Sequence, residues 1–358
     1  MYDIAIVGAG PAGATLARLV GGRYKVLCID KRPAVGIPRG FCTGKCCGGL
    51  LAPDAQKMLS QLGLGLPKSV LEGPQLFVVK AIDIRHRLER CYQRHYINMN
   101  RRKFDSWLLS LVPSNVDLRT SCRLQAYTSE SEGFQLTLRE GNRTYREGAK
   151  ILVGADGATS RVGLQAGTPD RNPGRYVAVQ EWVEVDKDPF PHFTSLFDPE
   201  ITDYYCWTIP KEDFLVIGGA FHPHPGPLPK FELFKLKLRD YGFRLGKTIR
   251  KEGALILRPM RTREVFTGGR GMALIGEAAG WISPSSAEGL SYALKSALFL
   301  AESLRPGPAG FEKRYGEKTQ ALRRNLFLKA MKSRFLFNPI FRQAVMKSGL
   351  QSMEISRG

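Results

Sequence analysis

The first thirty residues constrain the fold more than any other stretch. Residues 2–7 read YDIAIV, a short apolar run rich in β-branched side chains. Gly8-Ala9-Gly10-Pro11-Ala12-Gly13 follows, then an amphipathic helical stretch to Leu19, a second strand at 25–29 and an acid, Asp30. Strand, GxGxxG, helix, strand and acid in this order form a dinucleotide-binding unit. Gly8 permits the tight turn, Gly10 lets the backbone approach a diphosphate, and Gly13 allows close helix–sheet packing. The free N–H groups and the dipole at the helix start favour an anion there. Asp30 is placed to accept hydrogen bonds from a ribose. Pro11, Ala12 and Lys31 fall within the same cradle as candidate cofactor contacts.

The fingerprint alone does not separate FAD from NAD; later segments do. Arg101-Arg102-Lys103-Phe104-Asp105 opens an amphipathic helix, and Arg101 is a candidate for the diphosphate. Taken alone, a solvated helix start explains Arg101 equally well. A strand at 150–153 runs into Gly154-Ala155-Asp156-Gly157, a turn that aims the Asp156 carboxylate. A strand at 272–275 runs into Gly276-Glu277-Ala278-Ala279-Gly280. Glu288-Gly289-Leu290 then heads an Ala/Leu-rich helix to Leu304. That helix start suits the pyrimidine edge of an isoalloxazine, and Glu277 suits its sugar hydroxyls.

The ordered set resembles the FAD-dependent oxidoreductases of the p-hydroxybenzoate hydroxylase fold. Cys46-Cys47-Gly48-Gly49-Leu50 resembles the cysteine–glycine motif of the geranylgeranyl reductase family, with Cys47 in the cysteine position. Cys46 stands there for a proline and Leu50 for a third glycine. Tyr205-Cys206-Trp207-Thr208-Ile209-Pro210 is similar to that family's Tyr-x-Trp-x-Phe-Pro, with Ile209 for the phenylalanine. The chain is most similar to the CbrA branch of this broad family. The resemblance implies an α/β (α+β) chain: a Rossmann-like FAD-binding domain, a β-sheet substrate domain and a C-terminal helical segment. The expected division is 1–73, 99–173 and 257–303 for FAD, 74–98 and 174–256 for substrate, and 304–358 for basic helices.

FAD is the expected cofactor, with NAD(P)H or a ferredoxin as electron donor, since no second dinucleotide fingerprint occurs. Gly48 and Gly49 would let backbone approach the flavin. Cys47 either packs or contacts substrate; Tyr205 and Trp207 alternate on a strand and so share one face, either of a pocket or of the core. Cys47, Tyr205 and Trp207 are the candidate catalytic residues. The leading expectation is a reductase saturating C=C bonds of an isoprenoid or lipid-like substrate by hydride transfer. The alternatives are a monooxygenase or halogenase, because Trp207-Thr208-Ile209-Pro210 matches half of the halogenase Trp-x-Trp-x-Ile-Pro motif, and a non-catalytic basic flavoprotein.

Composition narrows partners. Hydrophobic residues are 43% of the 358 and charged residues 24%, which excludes a disordered chain. The formal charge is +20, and residues 304–358 carry twelve Lys/Arg against three Glu. Residues 80–103 add eight Lys/Arg against Asp83 and Glu89. This fits an anionic membrane surface, an apolar phosphorylated small molecule or an acidic electron carrier. Nucleic acid is disfavoured, because the basic residues are dispersed and no binding motif stands out. Seven scattered cysteines without a CxxC pair, Cys42 among them, indicate a reducing compartment and no zinc ribbon. His222 and His224 lack partners at metal-ligand spacing, and no metal is expected. No apolar run approaches the roughly 20 residues of a membrane span. The expected location is the cytoplasm, either free there or peripheral on the inner membrane face. A basic amphipathic helix near the C-terminus, followed by Pro339 and an apolar set of Ile340, Phe341, Ala344 and Val345, reads either as a membrane-surface element or as a helix capping the FAD domain.

Overall fold

The computed structural model describes residues 1–33, 46–167, 173–185 and 191–355. Cys42 lies outside the described residues.

Along the chain, β1 (Tyr2–Val7), α1 (Pro11–Val20) and β2 (Val26–Ile29) come first, as the sequence requires. β3 (Leu50–Leu51), α2 (Pro53–Gln61), β4 (Leu76–Asp83), β5 (Leu88–Asn98) and α3 (Arg101–Ser110) follow. β6 (Asp117–Arg119), β7 (Cys122–Glu130), β8 (Gly133–Glu140), β9 (Arg143–Gly154) and α4 (Arg161–Gln165) complete the first half. The second half holds β10 (Gly174–Glu184), β11 (Phe193–Phe197), β12 (Cys206–Lys211), β13 (Phe214–Phe221), α5 (Pro227–Asp240) and β14 (Thr248–Arg258). Next come β15 (Gly268–Gly269), β16 (Met272–Leu274) and α6 (Leu290–Leu304). The last elements are α7 (Phe311–Lys318), α8 (Gln320–Phe337) and α9 (Pro339–Ser348).

Two sheets result. The first has the order β15-β16-β9-β1-β2-β6, with β7 and β8 added on the other half of β9. β1 pairs in parallel with β2 and β9, so Ala5 lies beside Leu27 and Leu152. All four residues of β2 are buried, the pattern of a parallel strand covered on both faces. α1 and α6 cover one face through Leu16, Val20, Leu300 and Leu304. Leu322 and Leu326 of α8 join the core on the other face. The second sheet has the order β14-β10-β13-β12-β11-β4-β5-β3. α5 buries Phe231, Phe234 and Leu238 against one of its faces. Leu50 and Leu51 pair with Asn98 and Ile97, so this short stretch of the expected FAD region is a strand of the second sheet.

The last helices divide between the two alternatives that the sequence leaves open, a capping helix and an exposed apolar face. Leu322, Leu326 and Ala330 of α8 are buried, but Met331 and Phe335 are exposed. In α9 the expected apolar face is the exposed one: Ile340, Phe341 and Val345 point outward, while Arg342 and Met346 are buried. The reason is an ion pair. Arg342 Nε meets Asp83 Oδ2 at 2.8 Å, with side chains only 5% and 0% exposed, and this contact decides which side of α9 faces the body.

A buried lysine joins the two halves. Lys211, at the end of β12, donates from Nζ to the carbonyls of Gly49 (3.2 Å) and Met99 (3.0 Å) and to Asn98 Oδ1. Glu72 Oε2 lies 3.4 Å away. Burial pulls this ammonium from 10.5 down to about 8, against the pull of Glu72. Lys211→Met leaves all these acceptors without their donor, and stability in urea should fall by about 3 kcal/mol. The pH sign follows from linkage. The unfolded lysine keeps its proton to a higher pH than the folded one, so wild-type stability gains from this group as pH rises from 8 towards 10.5. Paired urea melts should therefore show the gap between wild type and Lys211→Met widening over that range. A gap that closes would contradict the assignment.

Candidate active site

One cavity of about 1400 Å³ runs between the sheets and collects most of the residues singled out by sequence. At one end lie Gly8, Gly10, Pro11, Ala12, Asp30, Lys31, Arg32, Asp156 and Gly157. Gly8 has φ of +104°, and a Cβ there would meet the Ala155 carbonyl at 2.5 Å. A Cβ on Gly13 would meet the Gly8 carbonyl at 1.8 Å, so Gly13 packs the helix onto the turn and does not line the cavity. Gly10 differs: its Cβ would meet only Arg32 Nη2, at 3.7 Å, so its backbone faces open space. The first intrahelical bond of α1 is Ala14 N to Gly10 O. The N–H groups of Ala12 and Gly13 therefore have no partner within the helix. This cradle fits a diphosphate.

Asp30 is already engaged. Its oxygens accept from Ala9 N (2.8 Å), Arg32 N (2.8 Å), Arg32 Nε (3.0 Å) and Arg32 Nη2 (2.9 Å). Burial raises its pKa, but the Arg32 bonds and charge outweigh that and hold it below the ordinary carboxylate range. Asp156 is also buried and accepts from Ser160 Oγ (2.5 Å), Arg161 N (2.7 Å) and Val162 N (3.3 Å) at the start of α4. Burial keeps its pKa above the usual value despite those bonds.

The middle of the cavity is formed by Cys46, Cys47, Gly48, Arg101, Gly276, Glu277, Gly289 and Leu290. Arg101 is no solvated helix start: its side chain is 12% exposed and Nε meets Asp105 Oδ1 at 2.8 Å. Burial opposes its charge, yet Asp105 and Cys47 beside it hold the guanidinium more firmly protonated than usual. Both cysteines line the cavity; Cys46 also packs into the aromatic cluster, and Cys47 accepts from Gly49 N at 3.5 Å. Both glycines are closely packed, and Gly48 also lines the cavity. A Cβ on Gly48 would strike Ile209 Cδ1 at 2.3 Å, and one on Gly49 the Met99 carbonyl at 2.3 Å. Gly49 does not line the cavity. Glu277 Oε1 accepts from Leu257 N at 3.3 Å.

The far end is a chamber walled by Tyr96, Phe193, Tyr205, Trp207 and Phe337. Tyr205, just before β12, and Trp207 and Ile209 within it share one face, as alternation requires, while Cys206 packs in the cluster beneath α5. Tyr205 donates its hydroxyl to Ser286 O at 2.8 Å, and burial pushes its pKa well above 10. Its ring stacks on Phe337 at 6.2 Å between centroids. Phe337 is held in turn by Arg258, whose guanidinium lies 4.8 Å from that ring and 4.2 Å from Tyr204.

Two site residues carry weak sequence signals. Gln180, fully buried in β10, donates to Glu252 Oε2 (2.7 Å) and to the Cys47 carbonyl (3.3 Å), and its Oε1 has no partner. An unpartnered buried amide oxygen on a cavity wall is a natural contact for a ligand N–H. The sequence hint was a glutamine inside a buried strand. Glu288 lines the cavity and accepts from Ser291 N (2.7 Å) and Ser291 Oγ (2.5 Å), and burial raises its pKa.

The FAD-binding-domain family model matches residues 1–218. Protein CbrA of Escherichia coli O9:H4 (strain HS) is 41% identical over 349 residues, 98% of this chain and 94% of that protein. Among solved structures, a geranylgeranyl bacteriochlorophyll reductase-like protein from Thermoplasma acidophilum superposes with a TM-score of 0.80 at 21% identity, over 96% of this chain and 89% of that one. A triple mutant of the flavin-dependent brominase Bmp2 gives 0.75 at 19% identity, over 98% and 92%. These two structural likenesses show the fold. The chain belongs to the FAD-binding-domain family, and FAD is its cofactor.

Two glycine variants separate cofactor binding from packing. Gly10 has an extended backbone that any residue adopts. Gly10→Val should weaken FAD binding on the order of tenfold in a fluorescence titration, with little change in apoprotein melting. Gly13→Ala should instead destabilise the apoprotein by about 2 kcal/mol through overpacking.

Proposed function

We propose that this FAD-dependent oxidoreductase is a reductase that saturates C=C bonds of an isoprenoid or lipid-like substrate carrying an anionic head. The observation that carries the reading is the continuity of one cavity from the dinucleotide cradle, past Cys47 and Gly48, into an aromatic chamber. Apolar walls of this kind hold a hydrocarbon chain by burial and leave few polar groups to bind anything else. The fold it shares with the geranylgeranyl bacteriochlorophyll reductase-like protein is consistent with it.

FAD would be held by the Gly8–Gly13 turn, the start of α1 and Asp30, with Glu277 and the start of α6 beside it. When bound and reduced it supplies a hydride at N5. The chain's own residues do the rest. Tyr96, Phe193, Tyr205, Trp207 and Phe337 position the alkene and exclude water. The hydride goes to one alkene carbon and a proton to the other. Tyr205 is poorly placed to give that proton, because its hydroxyl is committed to Ser286 O. Cys47, beside Arg101 on the cavity wall, is the better donor. The head group is assigned to Arg94, Lys329 and Lys332, which line the same cavity. Burial lowers the Lys332 pKa, and Arg94 and Lys329 nearby lower it further; Asp54 Oδ2 already takes Lys329 at 3.0 Å, so Arg94 and Lys332 are the pair an anion would relieve.

The test is anaerobic. Chemically reduced enzyme mixed with prenyl phosphates and prenyl lipids should return to the oxidised flavin spectrum, with the saturated product seen by mass spectrometry. Cys47→Ala should slow this step by about a hundredfold, and Tyr205→Phe much less. Turnover that strictly requires oxygen would replace this reading with a monooxygenase or halogenase. No turnover with any member of the class would remove it.

A further inference from the structure

We infer that the outer faces of α8 and α9 form a docking surface for an anionic lipid bilayer. The exposed side of α8 carries Phe327, Leu328, Met331 and Phe335, opposite its buried row of Leu322, Leu326 and Ala330. Spacings of three and four place these four side chains on one stripe. α9 continues the apolar surface with Ile340, 76% exposed, and Phe341, 51% exposed. The Phe335 and Phe341 rings meet edge to face at 5.4 Å, so the two stripes join across Pro339. Leu350, Met353 and Ile355 extend it beyond α9. Contiguous exposed apolar surface of this kind marks an interaction site.

Charge chooses the partner. Residues 320–348 hold seven Lys/Arg and no acid; Arg342 is buried on Asp83, Lys329 pairs with Asp54 and Arg323 donates inward to Thr262 O and Val265 O, while Arg324, Arg334 and Lys347 are exposed. A second copy would bring the same cations and a net charge of +20 against this face, which opposes self-association. An anionic bilayer satisfies both features, with apolar side chains in the acyl boundary and Lys/Arg at the headgroups. Among the described residues no helix is long and apolar enough to cross a membrane, so the contact lies in the plane of the surface. The face is fixed in place from behind: Arg342 is buried on Asp83, Arg90 Nη2 reaches Lys347 O at 3.5 Å, and Met353 N donates to Cys91 O at 2.8 Å. The same helices supply Lys329, Lys332, Phe337, Arg342 and Met346 to the cavity wall. The docking face therefore lies against the cavity. It stands on surface chemistry and does not depend on the reaction proposed above.

The experiment is sedimentation of the full-length holoprotein with vesicles of phosphatidylethanolamine and phosphatidylglycerol, and separately with phosphatidylcholine alone. Wild type should bind the anionic vesicles, with binding weakened by salt, and should bind phosphatidylcholine far less. The double substitution Ile340→Glu and Phe341→Glu should lower the anionic-vesicle affinity by at least about tenfold. Both positions are exposed, so its thermal melt should match wild type. Failure of wild type to sediment with anionic vesicles, equal binding to phosphatidylcholine, or unchanged binding by the double variant would each overturn the inference. So would a concentration-dependent dimer that the double variant abolishes while wild type ignores vesicles. Vesicle binding is read without any substrate turnover, so it fails or succeeds separately from the reductase assay.

Discussion

One ammonium group holds the site together. Lys211 Nζ, at the end of β12, sits where the end of β5 and the Cys47–Gly49 backbone converge, and it bonds to both. Removing a charge from water this completely is costly, and the cost is offset only because two carbonyls, an amide oxygen and Glu72 surround it. The consequence is geometric. Gly49 is fixed to the second sheet, so Cys47 and Gly48 are held at a set distance from the aromatic face of β12. A cofactor lying against Gly48 would then meet a chamber whose wall cannot drift away from it. Lys211 thus acts through position.

The fold was legible to different depths in different segments. The N-terminal unit is plain in the sequence because two of its glycines, Gly8 and Gly13, have a steric reason and the third, Gly10, leaves room for a ligand. Gly8 turns with positive φ, and Gly13 touches the Gly8 carbonyl. The strand alternation of Tyr205 and Trp207 was equally readable, since period two is a property of the backbone. α6, at Leu290–Leu304, showed itself through composition and periodicity. Pairings between distant segments were hidden. Nothing local in Leu50-Leu51 announces that it adds an edge to a sheet whose other strands lie far along the chain. Lys211 reads as an ordinary basic residue before a turn, and only the folded chain surrounds it with acceptors.

The same limit explains the last helix. Periodicity in α9 finds an apolar face, and the usual inference is that such a face turns inward. It loses here to a buried ion pair, because the fully buried Asp83 would keep only His86 on its other oxygen if Arg342 turned away. Amphipathicity tells which residues share a side. The identity of the surface opposite tells which side is covered. For Gln180 the lesson is reversed: a polar residue inside a strand looked unremarkable, yet its unpartnered oxygen on the cavity wall makes it a feature of the site.

The Asp30–Arg32 pair has one further consequence. The carboxylate that would take a ribose already has every strong donor it needs from the protein itself. A ribose hydroxyl reaching this corner would share Asp30 with Arg32, whose guanidinium at 2.9 Å already balances the carboxylate charge.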